Sequence, residues 1–171
     1  MGSLVVISGP IGAGKTTVAR AFVEASPPPL AYIEGDDSWR FLAKPRAGGP
    51  ARNMRAIMPA MFRAAAGIAA DDYQAILDFS LPPAFVKAAS ARVTGSVVHY
   101  VELRPALAVC ASRAANRAEG VLADYGPYTD FYDVFDAEER HVIRNDATDP
   151  ADVAEEIRAG LHDGRFRLAR P

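Results

Sequence analysis

The sequence predicts an α/β fold built on a parallel sheet, and three observations carry that expectation. Short apolar runs alternate with stretches of helical periodicity. The first apolar run, residues 4–8, breaks into the glycine-rich stretch GPIGAGKTT. Prolines 83, 105 and 150 stand where helices are expected to begin, a position that suits a residue with no N–H to donate.

Taken in order, residues 4–8 read as a buried strand and residues 15–25 as a helix with Val18, Phe22 and Val23 on one face. Residues 30–34 form the second strand. The helix expected over 53–70 repeats Met54, Ile57, Met58, Met61 and Phe62 at core spacing, and Pro59 is expected to kink it. A third strand over 73–79 is followed by a helix over 83–93, and a fourth over 97–103 by a helix over 105–118. Tyr128, Phe131, Tyr132 and Phe135 recur at i, i+3, i+4 and i+7, which predicts a helix over 128–138 with a buried aromatic stripe. The last strand spans 141–144. It leads to a helix over 150–161, with Thr148 and Asp149 as candidate caps. The stretches SPPPL and KPRAGGPAR read as turns and loops rather than linkers. No internal repeat is visible, and 171 residues suit one domain spanning 1–171. The tail, 162–171, reads equally as an added edge strand or a loose end.

Composition narrows the function classes. Half the residues are hydrophobic and the net charge is −2, which excludes a disordered chain and argues against nucleic-acid binding by bulk charge. The lone Cys110 has no partner for an internal disulfide and sits in an apolar context, so it reads as a small core residue. No segment has the roughly 18 apolar residues needed to span a bilayer, and no basic leader precedes the first strand. A cytoplasmic location with no membrane partner is the expectation. His99, His141 and His162 lack metal-ligand spacing.

The chemistry is concentrated where strands end. Gly9, Pro10, Ile11, Gly12, Ala13, Gly14, Lys15 and Thr16 fit G-x-x-x-x-G-K-[ST] between a strand and a helix. Glycines let consecutive amides turn inward around a polyphosphate, Lys15 reaches its β/γ oxygens, and Thr16 offers a hydroxyl to Mg²⁺. Thr17 completes the helix start. Only three of the 19 basic residues are lysines, so a lysine placed here is informative. After the second strand, Glu34 and Asp36 share a face across Gly35, with Asp37 alongside. One carboxylate can orient Mg²⁺ or its waters while another accepts a proton from an attacking hydroxyl. Asp78 ends the third strand as a second metal-side acid. Arg113 and Arg117 are four apart near a helix end, ahead of the segment AEGVLADYGP, and suit a lid over roughly 118–127 that closes on the transferring phosphoryl group. Arg104 is a weaker candidate. The loop after the last strand, HVIRNDATDPADV, can line an adenine pocket through backbone groups. Trp39, Arg40, Arg46, Arg52, Arg55 and Arg63 populate an acceptor-binding segment over roughly 38–70.

These features together resemble the small phosphate-loop kinases of metabolites, the group of gluconate kinase, shikimate kinase and chloramphenicol phosphotransferase. The residues that carry the resemblance are the phosphate loop, IEGDD, the strand ending in Asp78, the R-x-x-x-R helix end and HVIRNDATDPADVAEEI. The resemblance implies a three-layer α/β/α fold of the P-loop NTPase type, with a parallel five-stranded sheet and a short lid. It also implies ATP and Mg²⁺ as cofactors, and γ-phosphoryl transfer to a hydroxyl of a small molecule such as a sugar acid or an antibiotic. Lys15, Asp36, Asp37, Asp78, Arg113 and Arg117 are then the candidate catalytic residues, and Thr16, Glu34 and Asp78 the candidate metal-side residues. The acceptor is left open, as is the choice of base among Asp36, Asp37 and Asp78. Two rival readings are a nucleotide-hydrolysing switch and an ATP-binding module without catalysis. A polynucleotide-end kinase is disfavoured by the pI of about 5.9.

Overall fold

The computed structural model describes residues 2–117 and 120–169. It contains one sheet in the order β2-β3-β1-β4-β5, all parallel, formed by β1 (Ser3–Ser8), β2 (Leu30–Glu34), β3 (Gln74–Asp78), β4 (Val97–Leu103) and β5 (Val142–Ile143). Six helices accompany it: α1 (Lys15–Glu24), α2 (Pro50–Ala70), α3 (Pro83–Ser90), α4 (Leu107–Ala115), α5 (Thr129–Asp133) and α6 (Pro150–His162). This is the expected three-layer arrangement.

β1 lies at the centre because it is apolar on both faces. Leu4, Val5, Val6 and Ile7 are all fully buried, as a strand covered by helices on each side requires. Leu4 and Val6 join Ala75, Leu77, Phe79 and α2 in one core layer. Val5 and Ile7 join α1, α6, Ile76 and Val101 in the other. Burying each such side chain stabilises the fold by about 1.5–3 kcal/mol. The parallel register sets Ile7 beside Asp78 and Ser8 beside Glu102, so three strands end together at one edge.

The boundaries differ from expectation in physically readable ways. α2 begins earlier, at Pro50, which occupies the first helical turn, and it continues through Pro59 as one helix. Asn53 explains the earlier start. Its buried amide accepts from Arg46 N and donates to the Arg46 and Gly49 carbonyls, closing the preceding loop onto the helix. The predicted helix over 128–138 is instead a 3-10 turn over Gly126–Tyr128 followed by the five-residue α5. Of its aromatic stripe only Phe135 is fully buried; Tyr128, Phe131 and Tyr132 are half-buried. α4 stops at Ala115, with Asn116 Nδ2 donating to Ser112 O, and so ends before the predicted 118. Ala118 and Glu119 lie outside the described residues. Asp149 caps α6 as expected, accepting from Ala151 N at 2.8 Å.

The tail also takes a definite place. Phe166 is fully buried, Tyr100 N donates to Phe166 O, and Leu168 N donates to Val98 O, so the chain runs antiparallel along β4 through a bridge between His99 and Arg167. No helix among the described residues is long and apolar enough to cross a membrane.

A buried polar chain ties the strand ends together on the α2 side. Ser8 Oγ donates to Leu81 O and accepts from Leu81 N, both at 2.8 Å. Tyr100 Oη donates to Leu81 O at 3.0 Å and lies 3.3 Å from Glu102 Oε2, which accepts from Ala137 N. Glu102 is fully buried, and burial raises its pKa above the ordinary carboxylate value. A group protonated more readily in the folded state supports folding below its ordinary pKa, and that support is lost as pH rises through the raised folded value. Glu102→Gln should therefore raise the thermal midpoint at pH 8 while matching the parent at pH 4. Thermal melts across that range check it.

Candidate active site

Between β1 and α1 the chain turns through Gly9, Gly12 and Gly14 with φ of 144°, 82° and 88°. Glycines with positive φ turn neighbouring N–H groups toward one concave side, which makes an anion-binding nest. The same twist sends carbonyls outward. Pro10 O accepts from Ala13 N at 3.2 Å and from Lys15 Nζ at 3.0 Å. Ile11 O accepts from Tyr125 Oη at 2.8 Å, and Ala13 O from Asn145 Nδ2 at 2.9 Å. Gly14 O begins α1 by accepting from Val18 N. The loop lies tight against α4: a Cβ on Gly12 would stand 2.2 Å from Cys110 O.

The nest opens into a cavity of about 450 Å³. Gly12, Gly14, Lys15, Thr16 and Thr17 form its floor, Asp36 one wall, and Arg113, Arg117, Asn145, Thr148 and Pro150 the other. Pro10, Ile11 and Ala13 belong to the back of the loop, where their carbonyls are held, and a Cβ on Gly9 would stand 2.2 Å from Leu103 O. Asp78 is buried at the end of β3, with its carboxylate beside the Thr16 hydroxyl and 3.3 Å from Tyr32 Oη. Burial raises the Asp78 pKa, opposed by the charge of Lys15 and the nearby Thr16 hydroxyl. Desolvation lowers the Lys15 pKa, opposed by Asp78 and Asp36. Each charge thus stabilises the other at a site where either alone would be costly. Burial and the two neighbouring carboxylates raise the Tyr32 hydroxyl, which keeps it a neutral donor.

The structure separates the candidate residues. Lys15, Thr16, Asp36, Arg113 and Arg117 meet at the cavity, and Asp78 joins them through Thr16 and Lys15. Asp37 does not line it and is paired with Arg40 at 3.5 Å on the surface. Glu34 faces Arg20 at 2.9 Å, with Tyr32 Oη at 3.4 Å, so it borders the site through Tyr32 rather than entering it. Arg113 is held in place: its Nη2 donates to Asn145 O and Asp146 O at 2.8 and 2.9 Å. Arg117 lies past the end of α4 and is exposed. Arg104 stacks over the Tyr132 ring, 5.3 Å from its centroid. In the acceptor segment, Arg40, Arg46, Arg52, Arg55 and Arg63 are all exposed, and Trp39 packs partly buried against the α2 core layer. In the segment expected to act as a lid, residues 120–127 fold back on α4 through Leu122 N donating to Ala114 O. Cys110 is buried, which pushes its thiol up to about 11 and leaves it unreactive.

Sequence reasoning did not single out Tyr125, Asn145 or Tyr32. Asn145 carried a signal, being a polar residue directly after an apolar strand. Tyr125 carried none, because its partner Ile11 is 114 residues away.

The hard oxygen donors around Thr16 and Asp78 suit a divalent cation such as Mg²⁺. Among the described residues, no group of three His, Cys, Asp or Glu side chains converges to hold a metal by itself.

The fold is that of the small phosphate-loop kinases. A tunicamycin resistance protein of Deinococcus radiodurans superimposes over 100% of both chains, with a TM-score of 0.68 and 23% identity. An APS kinase of Mycobacterium tuberculosis, solved with AMPPNP and APS, covers 94% of this chain and 98% of its own, at a TM-score of 0.72 and 19% identity. A sugar kinase of Janibacter sp. HTCC2649 covers 95% of each chain, at 0.70 and 19%. By sequence the chain matches no family model and no curated protein.

Gly12→Ala should cost about 1–3 kcal/mol for its left-handed backbone alone, with the Cys110 clash in addition. The expected outcome is a thermal midpoint lowered by several degrees together with lost nucleotide binding, read by melting with and without Mg²⁺-ADP.

Proposed function

We propose that this protein transfers the γ-phosphoryl group of ATP to a hydroxyl of a small molecule. The observation that carries the proposal is the meeting, at one cavity, of an amide-lined phosphate nest with Lys15, Thr16, a free carboxylate at Asp36 and two arginines. The likeness in fold to kinases of small metabolites supports it.

In this reading the nest and Lys15 hold the β- and γ-phosphates. Thr16 and Asp78, with Glu34 at the margin, are the residues that would hold Mg²⁺, which neutralises phosphate charge when bound. Asp36 accepts the proton of the attacking hydroxyl, since it faces the cavity while Asp37 is turned to Arg40. Arg113 steadies the nucleotide from the β5 side, and Arg117 meets charge on the group in transfer. The work is positioning and electrostatics, as phosphoryl transfer requires. The acceptor sits on the Asp36 side of the cavity, toward the segment 38–70.

The test is ADP release from Mg²⁺-ATP, alone and with a panel of sugar acids, hydroxylated antibiotics and nucleosides. Acceptor-dependent turnover is expected, and turnover indifferent to every acceptor would overturn the reading. Lys15→Ala should lower the rate by about 10²- to 10³-fold, the scale of one preorganised donor lost. Asp36→Asn should remove acceptor-dependent turnover, whereas Asp37→Asn should leave it within about threefold, the range of an exposed ion pair worth under 1 kcal/mol.

A further inference from the structure

A phosphate nest has a requirement that its motif does not state. If amides face inward, the intervening carbonyls face away, and a buried carbonyl without a partner costs free energy. Here two of those carbonyls are held by side chains from distant parts of the chain. Tyr125 Oη donates to Ile11 O at 2.8 Å across 114 residues, and Asn145 Nδ2 donates to Ala13 O at 2.9 Å across 132. We infer that Tyr125 and Asn145 are positioning residues for the nucleotide phosphates, which fix the phosphate loop in its binding shape before any ligand arrives.

Three further observations support this. Both donors are buried, with Tyr125 8% and Asn145 4% exposed, so water does not compete for the carbonyls. The same Asn145 amide also lies against the next loop residue, since a Cβ on Gly14 would stand 3.6 Å from its Nδ2. Each donor is itself braced. The Tyr125 ring packs with Cys110 and Ala114 of α4. The Asn145 backbone is fixed by Arg113 Nη2 on its carbonyl, and the next residue, Asp146, accepts from Ala106 N with its carboxylate at 2.8 Å. The loop is thus bolted from Tyr125, within the segment 120–127, and from the segment that follows β5. Neither residue needs to touch the phosphates. Each acts through the carbonyl it holds, by reducing the reordering that phosphate binding would otherwise demand.

The inference rests on the nucleotide-binding reading, and the experiment separates the two. Isothermal titration gives the affinity of the parent protein for Mg²⁺-ADP and for AMP, and the same pair is measured for Tyr125→Phe and Asn145→Ala. No binding of Mg²⁺-ADP by the parent would fail the nucleotide reading itself. Given binding, each variant should weaken Mg²⁺-ADP about fivefold, the equilibrium factor of one ordinary hydrogen bond, and AMP less, since it lacks the β-phosphate. Tyr125→Phe keeps the ring and its packing, so its thermal midpoint should stay close to the parent's. Unchanged Mg²⁺-ADP affinity in both variants overturns the inference. So does a parallel loss of both ligands with a lowered midpoint, which marks a merely structural role.

Discussion

The constraint on which the rest of this structure depends is the pairing of every backbone polar group in a six-residue loop that must present its amides to a ligand. A helix or strand settles that problem internally, whereas residues 9–14 cannot. They are supported from below by β1, whose four apolar residues are buried on both faces, and from the sides by groups drawn from the far half of the chain. The central place of β1 and the convergence of α4, the segment 120–127 and the β5 loop serve one requirement. The sheet order brings β3 and β4 to either side of β1, so Asp78 and Glu102 arrive at the same edge as the loop.

That edge carries two kinds of buried acid with different roles. Burial raises the pKa of Asp78 against the opposing charge of Lys15 and the Thr16 hydroxyl. Burial likewise raises that of Glu102, opposed by the Ala137 amide and the charge of Arg104. The first lies beside the lysine of the phosphate loop. The second accepts from Ala137 N and lies 3.3 Å from Tyr100 Oη, which itself reaches Leu81 O. The difference lies in the partners that share the burial.

Much of this was legible in the sequence where local chemistry settles local structure. The five strands and the helices at 15–25, 53–70, 83–93 and 150–161 announced themselves through periodicity and prolines, and the phosphate loop through its glycines. The misreading of 128–138 has a clear cause. Its aromatics satisfy a helical period, but Phe135 is drawn into the interior, Tyr125 bonds Ile11 O and Tyr132 bonds Pro105 O, so the chain follows its partners rather than one helix axis. The acids IEGDD illustrate the other limit. Spacing put Glu34, Asp36 and Asp37 in contention together, and only the turn over Gly35–Phe41 sends Asp36 to the cavity, Asp37 to Arg40 and leaves Glu34 with Arg20. Contacts such as Asn145 with Ala13 are invisible locally because both partners look ordinary in their own neighbourhoods.

The tail along β4 matters for a different property of the molecule. β5 pairs with β4 only at Glu102 and Leu103, so the first five residues of β4 would otherwise present an open row of N–H and C=O groups on a flat, apolar strand. Such an edge is a template for pairing with another chain. Phe166 buried in the core anchors a short antiparallel cover over Val98 to Tyr100, and Arg165 fastens it through Glu156 and the Arg140 and Val142 carbonyls. The tail therefore occupies the row of β4 groups through which a further strand would otherwise pair, so at this edge the sheet is completed by the chain's own C-terminal segment.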